Sequence, residues 1–181
     1  MATLVITVIG DDRPGLVSAL ADVVAEHSGS WGRSQLARLA GTFAGIVTVD
    51  VPGNRVDALR AAIGGLGGVL ETTVRVAPDT DATEGAAAEG PVLHLDLIGN
   101  DRPGIVREIT GTLAAHRVSV EDLQTKVVPA PQAGGDLFTA RAAVRAPAGA
   151  DLGALRQALE HLAGELLVDL SFEAQDLADW E

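Results

Sequence analysis

Cysteine is absent from the 181 residues, and aromatic side chains account for only 3% of them. Without cysteine, the chain can form no disulfide and offers no thiolate for a metal site or for nucleophilic catalysis. The scarcity of aromatic residues argues against a large aromatic-lined or stacking site. No run approaches the 18 apolar residues that predict a membrane-spanning helix, and the first apolar run meets Asp11 and Asp12 at once, unlike a signal peptide. We therefore expect a cytoplasmic protein.

Positive charge is also scarce, because 13 lysines and arginines stand against 25 acidic residues and give a net charge of −12. Residues 78–90 contain four acids and residues 175–181 contain three, and neither segment has a base. We interpret the first segment as a flexible acidic linker and the second as an acidic tail. No basic patch is visible, which argues against a nucleic-acid partner.

The most informative feature that is present is a repeated hexapeptide. GDDRPG, which starts at residue 10, returns 89 residues later as GNDRPG. Residues 4–17 and 93–106 share eight identities in 14 positions without a gap. A repeat of this length predicts one module used twice. The two domains are expected at residues 1–77 and 91–174.

Each copy contains the same order of strand-like and helix-like runs. A strand precedes the hexapeptide, and the spacing of Leu16, Leu20 and Val24 predicts an amphipathic helix after it, ending near His27, or near His116 in the second copy. Two extended runs, a second helix and a final strand follow. This β-α-β-β-α-β order predicts an α+β, ferredoxin-like fold, with both helices on one face of a four-stranded antiparallel sheet. The bare face and the edge strand favour pairing with a second copy, edge to edge or face to face.

The hexapeptide joins the first strand to the first helix of each copy. The N–H groups in the first turn of a helix lack intrahelical acceptors and, with the helix dipole, favour an anion. Gly15 and Gly104 have no side chain that would screen these donors. The carboxylate of Asp12 or Asp101 can pair with an ammonium group. The junction therefore fits a zwitterionic amino acid. The alternative is structural: the aspartate caps the helix and the proline occupies its first turn.

Other polar side chains near the junctions have ordinary explanations. Arg13 and Arg102 fit solvated or ion-paired residues better than ligand contacts, and the histidines near the helix ends suit the dipole there. No His-Asp-Ser arrangement, metal-spaced histidine pair or P-loop occurs, so we predict no enzyme, no metal site and no cofactor. A small phosphatase that uses the repeated arginine remains an alternative. An RNA-recognition module would need aromatics on its first strand, and neither copy has one there.

The strand order, with G-x-D-R-P-G between the first strand and the first helix, resembles the ACT domain over residues 3–77 and 91–174. Two copies and a linker resemble the double-ACT family of the glycine cleavage system transcriptional repressor. The resemblance implies a non-catalytic regulator, expected as a homodimer, that binds a small amino acid of the glycine or serine class between ACT domains and modulates a partner protein. Ligand contacts are then expected from the first loop of one domain and the second strand of its partner. The implied loop residues are Asp11, Asp12, Gly15, Asn100, Asp101 and Gly104, and the implied strand residues are Ser30, Gln35, Ser119 and Gln124.

The chain departs from this family in two ways. Several ACT sites have an amide where this chain has Asp12 and Asp101, which leaves the ligand's identity open. The first copy reads WGR at residues 31–33, where the second has the more strand-like VED at residues 120–122. We therefore expect two unequal sites or a single working one. The strongest alternative to a ligand sensor is an assembly or dimerisation module that binds no small molecule.

Overall fold

The computed structural model describes residues 1–77, 89–130 and 135–174. The chain divides into two compact units, Met1–Thr80 and Asp81–Glu181, and each contains one copy of the repeat. No helix in the described ranges is long and apolar enough to cross a membrane.

The predicted linker and tail lie largely outside the described residues. Residues 78–88 of the linker and all of the tail, residues 175–181, fall in the gaps. The last two linker residues, Glu89 and Gly90, belong instead to the first strand of the second unit. The second domain therefore begins earlier than the change in composition indicates.

The first unit contains four strands and two helices in the predicted order. In sequence they are β1 (Ala2–Asp11), α1 (Leu16–Glu26), β2 (Ser30–Leu39), β3 (Thr42–Val51), α2 (Val56–Gly64) and β4 (Glu71–Val76). A short 3-10 turn precedes α2. The strands form one antiparallel sheet in the order β2-β3-β1-β4.

The second unit repeats this arrangement. Its elements are β5 (Glu89–Asn100), α3 (Ile105–Ala115), β6 (Ser119–Ala130), β7 (Gly135–Pro147), α4 (Leu152–Leu166) and β8 (Val168–Ala174). The sheet order is β6-β7-β5-β8, again antiparallel throughout. The predicted tandem ferredoxin-like fold is confirmed.

Alternation along the strands places the core of each unit between its sheet and its helices. In β1, Leu4, Ile6 and Val8 are buried, and the residues between them face away. The predicted stripe on α1 is buried against them, and α2 adds Leu59 and Ile63. Burying a side chain of this size contributes about 1.5–3 kcal/mol. The opposite face of each sheet, turned away from its own helices, is called the open face below.

The first glycine of each hexapeptide is required by close packing. A Cβ added to Gly99 would lie 2.2 Å from Val168 Cγ1, and one added to Gly10 would lie 2.8 Å from the Val69 carbonyl oxygen. Both distances are shorter than van der Waals contact allows. In the second unit the last strand, and in the first unit the segment directly before the last strand, thus approaches the first strand more closely than any side chain permits.

Gly99→Ala is therefore expected to destabilise the second unit. Overpacking of this kind costs about 1–3 kcal/mol, and urea titration should show a lower unfolding midpoint. Gly111→Ala on α3 is the matched control, because no heavy atom lies within 4 Å of its added Cβ and alanine favours the helix by about 0.5–1 kcal/mol. A Gly99→Ala midpoint at or above that of the parent protein would contradict this packing.

Candidate functional site

Each hexapeptide ends in a glycine that starts the following helix from the left-handed region. Gly15 has φ = 93° before α1, and Gly104 has φ = 97° before α3. Among the described residues, no side chain caps either helix. The N–H groups of both first turns are thus left for solvent or for an anion, which the helix dipole also favours.

The structural alternative for the aspartate and the proline is wrong in both copies. The helices begin at Leu16 and Ile105, after the glycine, so the proline stands before the first turn rather than within it. The aspartate is instead held through its backbone. The Asp12 N–H donates to the Gly41 carbonyl oxygen at 3.0 Å, and the equivalent Asp101 N–H donates to Asp136 at 2.8 Å. These bonds fix the loop and leave both carboxylates free for other partners.

The two carboxylates differ in what they contact. Asp12 forms an ion pair with Arg38, with 2.6 Å between Oδ2 and Nε, and the two side chains are 32% and 69% exposed. The register places Arg38 opposite Phe43, and Val127 occupies the equivalent place opposite Phe138. Valine carries no charge. The first junction thus has a cation from its own sheet, and the second has none at that position.

Asp101 is consequently unpaired in the part of the chain that the structure describes. Its exposed side chain makes no hydrogen bond or ion pair with any described residue. The neighbouring Arg102 does not neutralise it, because that guanidinium binds both carboxylate oxygens of Glu108, at 3.3 and 2.7 Å. The second junction combines a free carboxylate with an uncapped helix N-terminus.

The equivalent arginine of the first copy has another partner. Arg13 donates to the Gly68 carbonyl oxygen at 3.3 Å, and Ala19 stands where the second copy has Glu108. Both arginines thus contact residues of their own unit. Arg102 is ion-paired, as one of the two sequence interpretations predicted. Neither contact suggests a phosphate-binding loop.

The predicted second-strand residues are well separated from the junction of their own unit. Gln35 pairs with Ile46, which pairs with Thr7, four residues before Asp11 and about 13 Å along the strand. Ser30 lies at the far end of the sheet, about 26 Å from the level of Asp11 by the same rise. Gln124 and Ser119 have equivalent places in the second sheet. Neither unit by itself brings its five predicted residues into one site.

The irregularity predicted for the first copy occurs in both. A bulge lies between Trp31 and Ser34 on β2, and β6 has one between Val120 and Asp122. The segment that looked more strand-like in the second copy thus also carries an extra residue, Glu121, which forms an ion pair with Arg145 across the strands. The bulge is thus common to both copies, whereas the arginine at position 38 is replaced by Val127 in the second copy.

An apolar cavity adjoins the second junction. It lies between α3 and the sheet, is lined by Val106, Leu123 and Phe138 among others, and has a volume of about 20 Å³. This is the space of roughly one water molecule, so this cavity by itself does not hold an amino-acid side chain. Within the described ranges, no three carboxylate or histidine side chains group in a way that could hold a metal ion.

Sequence reasoning located the junctions but missed Arg38 and Val127. Both lie on the strand that was predicted to supply ligand contacts, three residues after a predicted glutamine. Their approach to the aspartate follows from the pairing of β2 with β3 and of β3 with β1. No local motif signals it.

Comparison with known proteins agrees with the duplicated fold. The ACT domain model matches residues 2–77 and 92–173. The glycine cleavage system transcriptional repressor of Escherichia coli (strain K12) is 24% identical over 163 residues, which cover 90% of this chain and 85% of that protein.

Two crystal structures extend over nearly the whole chain. An unknown protein from Galdieria sulphuraria has 26% identity and a TM-score of 0.85, covering 97% of this chain and 99% of that one. A protein provisionally described as a glycine cleavage system transcriptional repressor has 18% identity, a TM-score of 0.68 and coverage of 97% and 98%, which shows the shared fold. With a domain match in each repeat, the chain belongs to the ACT domain family and carries two ACT domains in tandem.

Proposed function

We propose that this protein is a non-catalytic regulatory protein that binds a small amino acid between ACT domains and thereby alters a partner protein. The observation that carries the proposal is the unpaired Asp101 carboxylate beside the uncapped N-terminus of α3. The two groups have opposite electrostatic preferences and lie a few residues apart. An α-amino acid carries both complementary charges on neighbouring atoms.

The second junction supplies the two recognition elements in this proposal. The ligand carboxylate accepts from first-turn N–H groups of α3, which no described side chain caps. The Glu108 carboxylate, which lies close to Gly104, is paired with Arg102. The ligand ammonium donates to Asp101, a charge-assisted contact. Because the adjoining cavity holds only about 20 Å³, a branched side chain gains no apolar pocket there. Glycine or serine is the class that fits.

The first junction is the weaker candidate in this proposal. Arg38 already satisfies Asp12, so an ammonium ligand must displace a tethered guanidinium. The same ion pair favours the alternative function, ligand-free assembly, for the first module. In this proposal, a strand from a further ACT module completes either junction, through the positions of Ser30 and Gln35 or of Ser119 and Gln124.

The regulated partner is proposed to be a protein rather than DNA. The net charge of −12 disfavours contact with phosphates. Similarity to the E. coli repressor suggests a role in transcriptional control of glycine metabolism, acting through another regulator. A homodimer would supply the further ACT modules that such a site needs.

Calorimetric titration with glycine, L-serine and L-valine tests the proposal. We expect saturable heat at millimolar or lower concentration for glycine or serine, and weaker binding of valine because the adjoining cavity does not accept its side chain. Acetate and methylamine, each carrying one of the two charges, are the controls and should bind much more weakly. The absence of heat with all three amino acids at millimolar concentration would reject the sensor and favour ligand-free assembly.

A further inference from the structure

The open face of the first sheet has an apolar centre. Ile9 and Ile46 project from it and are 46% and 42% exposed. Ala37 and Ala44 lie beside Ile9 in the same row of paired residues, and the partly buried Val5 lies four residues before Ile9 on β1, on the same face. Small and β-branched side chains on a flat row of strands are what sheet-on-sheet packing uses.

The second sheet shows that this composition is not needed for folding. Charged residues replace neutral ones at three equivalent positions: Asp96 for Thr7, Lys126 for Ala37 and Arg141 for Ile46. Arg141 pairs with Asp96 at 3.1 Å, and both side chains are mostly exposed. The same fold therefore tolerates a solvated open face. The apolar centre of the first sheet calls for another explanation, since exposed apolar patches mark interaction surfaces.

We propose that this face packs against the same face of a second copy of the chain. The charged residues on β4 determine how the two copies are placed relative to each other. Glu71 and Arg75 point to the open face on either side of Thr73, at the levels of Ile9 and Val5. A two-fold axis that crosses the strands at the level of Thr73 sets Glu71 of each copy opposite Arg75 of the other. The two copies thus form two equivalent ion pairs, each between Glu71 of one copy and Arg75 of the other, and the same surface lies on both sides of the interface.

The same axis accommodates the remaining side chains of the face. Ile46 meets its own symmetry mate, and Ile9 meets Val5 of the second copy, so the apolar centre is buried. The acidic residues at the two ends of the face do not oppose each other. Asp11 comes opposite Thr3, and the carboxylate of Asp50, which accepts a hydrogen bond from the Thr3 hydroxyl at 2.6 Å, comes opposite Thr42.

The second sheet is a poor occupant of this face. Packing its open face onto Ile46 would remove the Asp96–Arg141 pair from water without offering new partners. Desolvating an ion pair in this way costs several kcal/mol per charge before any gain in attraction. A second copy of the first sheet has no such pair at its centre.

Matched substitutions on the two sheets test the proposed interface. Ile9→Arg puts a charge at the centre of the face, and we expect it to raise the dimer dissociation constant about 100-fold, the effect of losing a central contact. Ile98→Arg makes the same change at the equivalent position of the second sheet, where Ile98 is 45% exposed. It should leave the dissociation constant within about 3-fold. Sedimentation equilibrium measures both, and thermal melting checks that each variant is folded.

A charge exchange tests the axis itself. Glu71→Arg alone sets two arginines against each other and should weaken the dimer about 10-fold. The double variant Glu71→Arg/Arg75→Glu should restore it, because each copy again offers one charge of each sign in reversed order. The proposal is overturned if the parent protein stays monomeric at about 100 μM, if Ile98→Arg dissociates the dimer as strongly as Ile9→Arg, or if the double variant is no tighter than the single one. These outcomes test the interface alone. Amino-acid binding is measured separately by titration, so failure of the interface does not decide the proposed function.

Discussion

Asp101→Ala is expected to weaken the binding of glycine or serine by about 10- to 100-fold, since hydrogen bonds to charged groups contribute about 1.5–3 kcal/mol. The reason is that Asp101 has no other partner among the described residues, so its carboxylate is free to accept the ligand ammonium. Isothermal titration calorimetry of the purified full chain measures the change directly. The substitution should barely alter stability, because the carboxylate caps no helix and forms no ion pair with any described residue.

Asp12→Ala is the matched control at the equivalent position of the first copy. Its carboxylate is occupied by Arg38, so ligand affinity should stay within about 2-fold of the parent value. The exposed ion pair that it removes contributes about 0–1 kcal/mol. An equal loss of affinity in both variants, or no loss in either, would show that the unpaired carboxylate is not the determinant.

Exchanging the residues that distinguish the junctions is expected to exchange their behaviour. Val127→Arg introduces a guanidinium opposite Phe138, where it can pair with Asp101 as Arg38 pairs with Asp12. We expect it to abolish binding under conditions that saturate the parent protein. Val127 is half-exposed, so a long side chain fits there without disturbing the core.

Arg38→Val makes the reverse change and should free Asp12. The calorimetric stoichiometry is then expected to rise from one ligand per chain to two. The double variant, Arg38→Val with Val127→Arg, should return to one ligand per chain, now at the first junction. Val127→Arg with undiminished binding would mean that a cation at this position does not close the site, whatever the effect of Arg38→Val.

The architecture could be predicted because local sequence patterns determine it. The apolar stripe on α1 and the alternation in β5 determine which face of each element is buried, and the strand order follows from short antiparallel connections and right-handed crossovers. The ends of α1 and α3 also agree with their sequence signals, since His27 and His116 follow the last helical residues.

The beginning of the helices was harder to predict than their ends. The run D-R-P-G contains two acceptable starts, an aspartate cap with proline in the first turn, or a glycine in the left-handed region. Backbone pairing decides between them. The Asp12 N–H is held by Gly41 and the Asp101 N–H by Asp136, which keeps the aspartate at the end of its strand, so each helix begins after the glycine.

The difference between the two junctions depends on contacts that are distant in sequence. Arg38 reaches Asp12 across 26 residues, and only the register of β2, β3 and β1 brings the two together. That register includes a bulge, and a slip of one residue would turn Arg38 to the other face. A repeat in the sequence reveals that the copies correspond but not how their contacts differ.

The ion pair between Arg38 and Asp12 means that the carboxylate of the first junction already has a cationic partner. If the second module alone responds to the amino acid, the occupancy of a single chain follows a simple hyperbola. Within one chain there is then no homotropic coupling, and a Hill coefficient above one would have to arise between chains. Under the proposed function, duplication gives one module that responds to the ligand and one that does not, rather than two equal sensors.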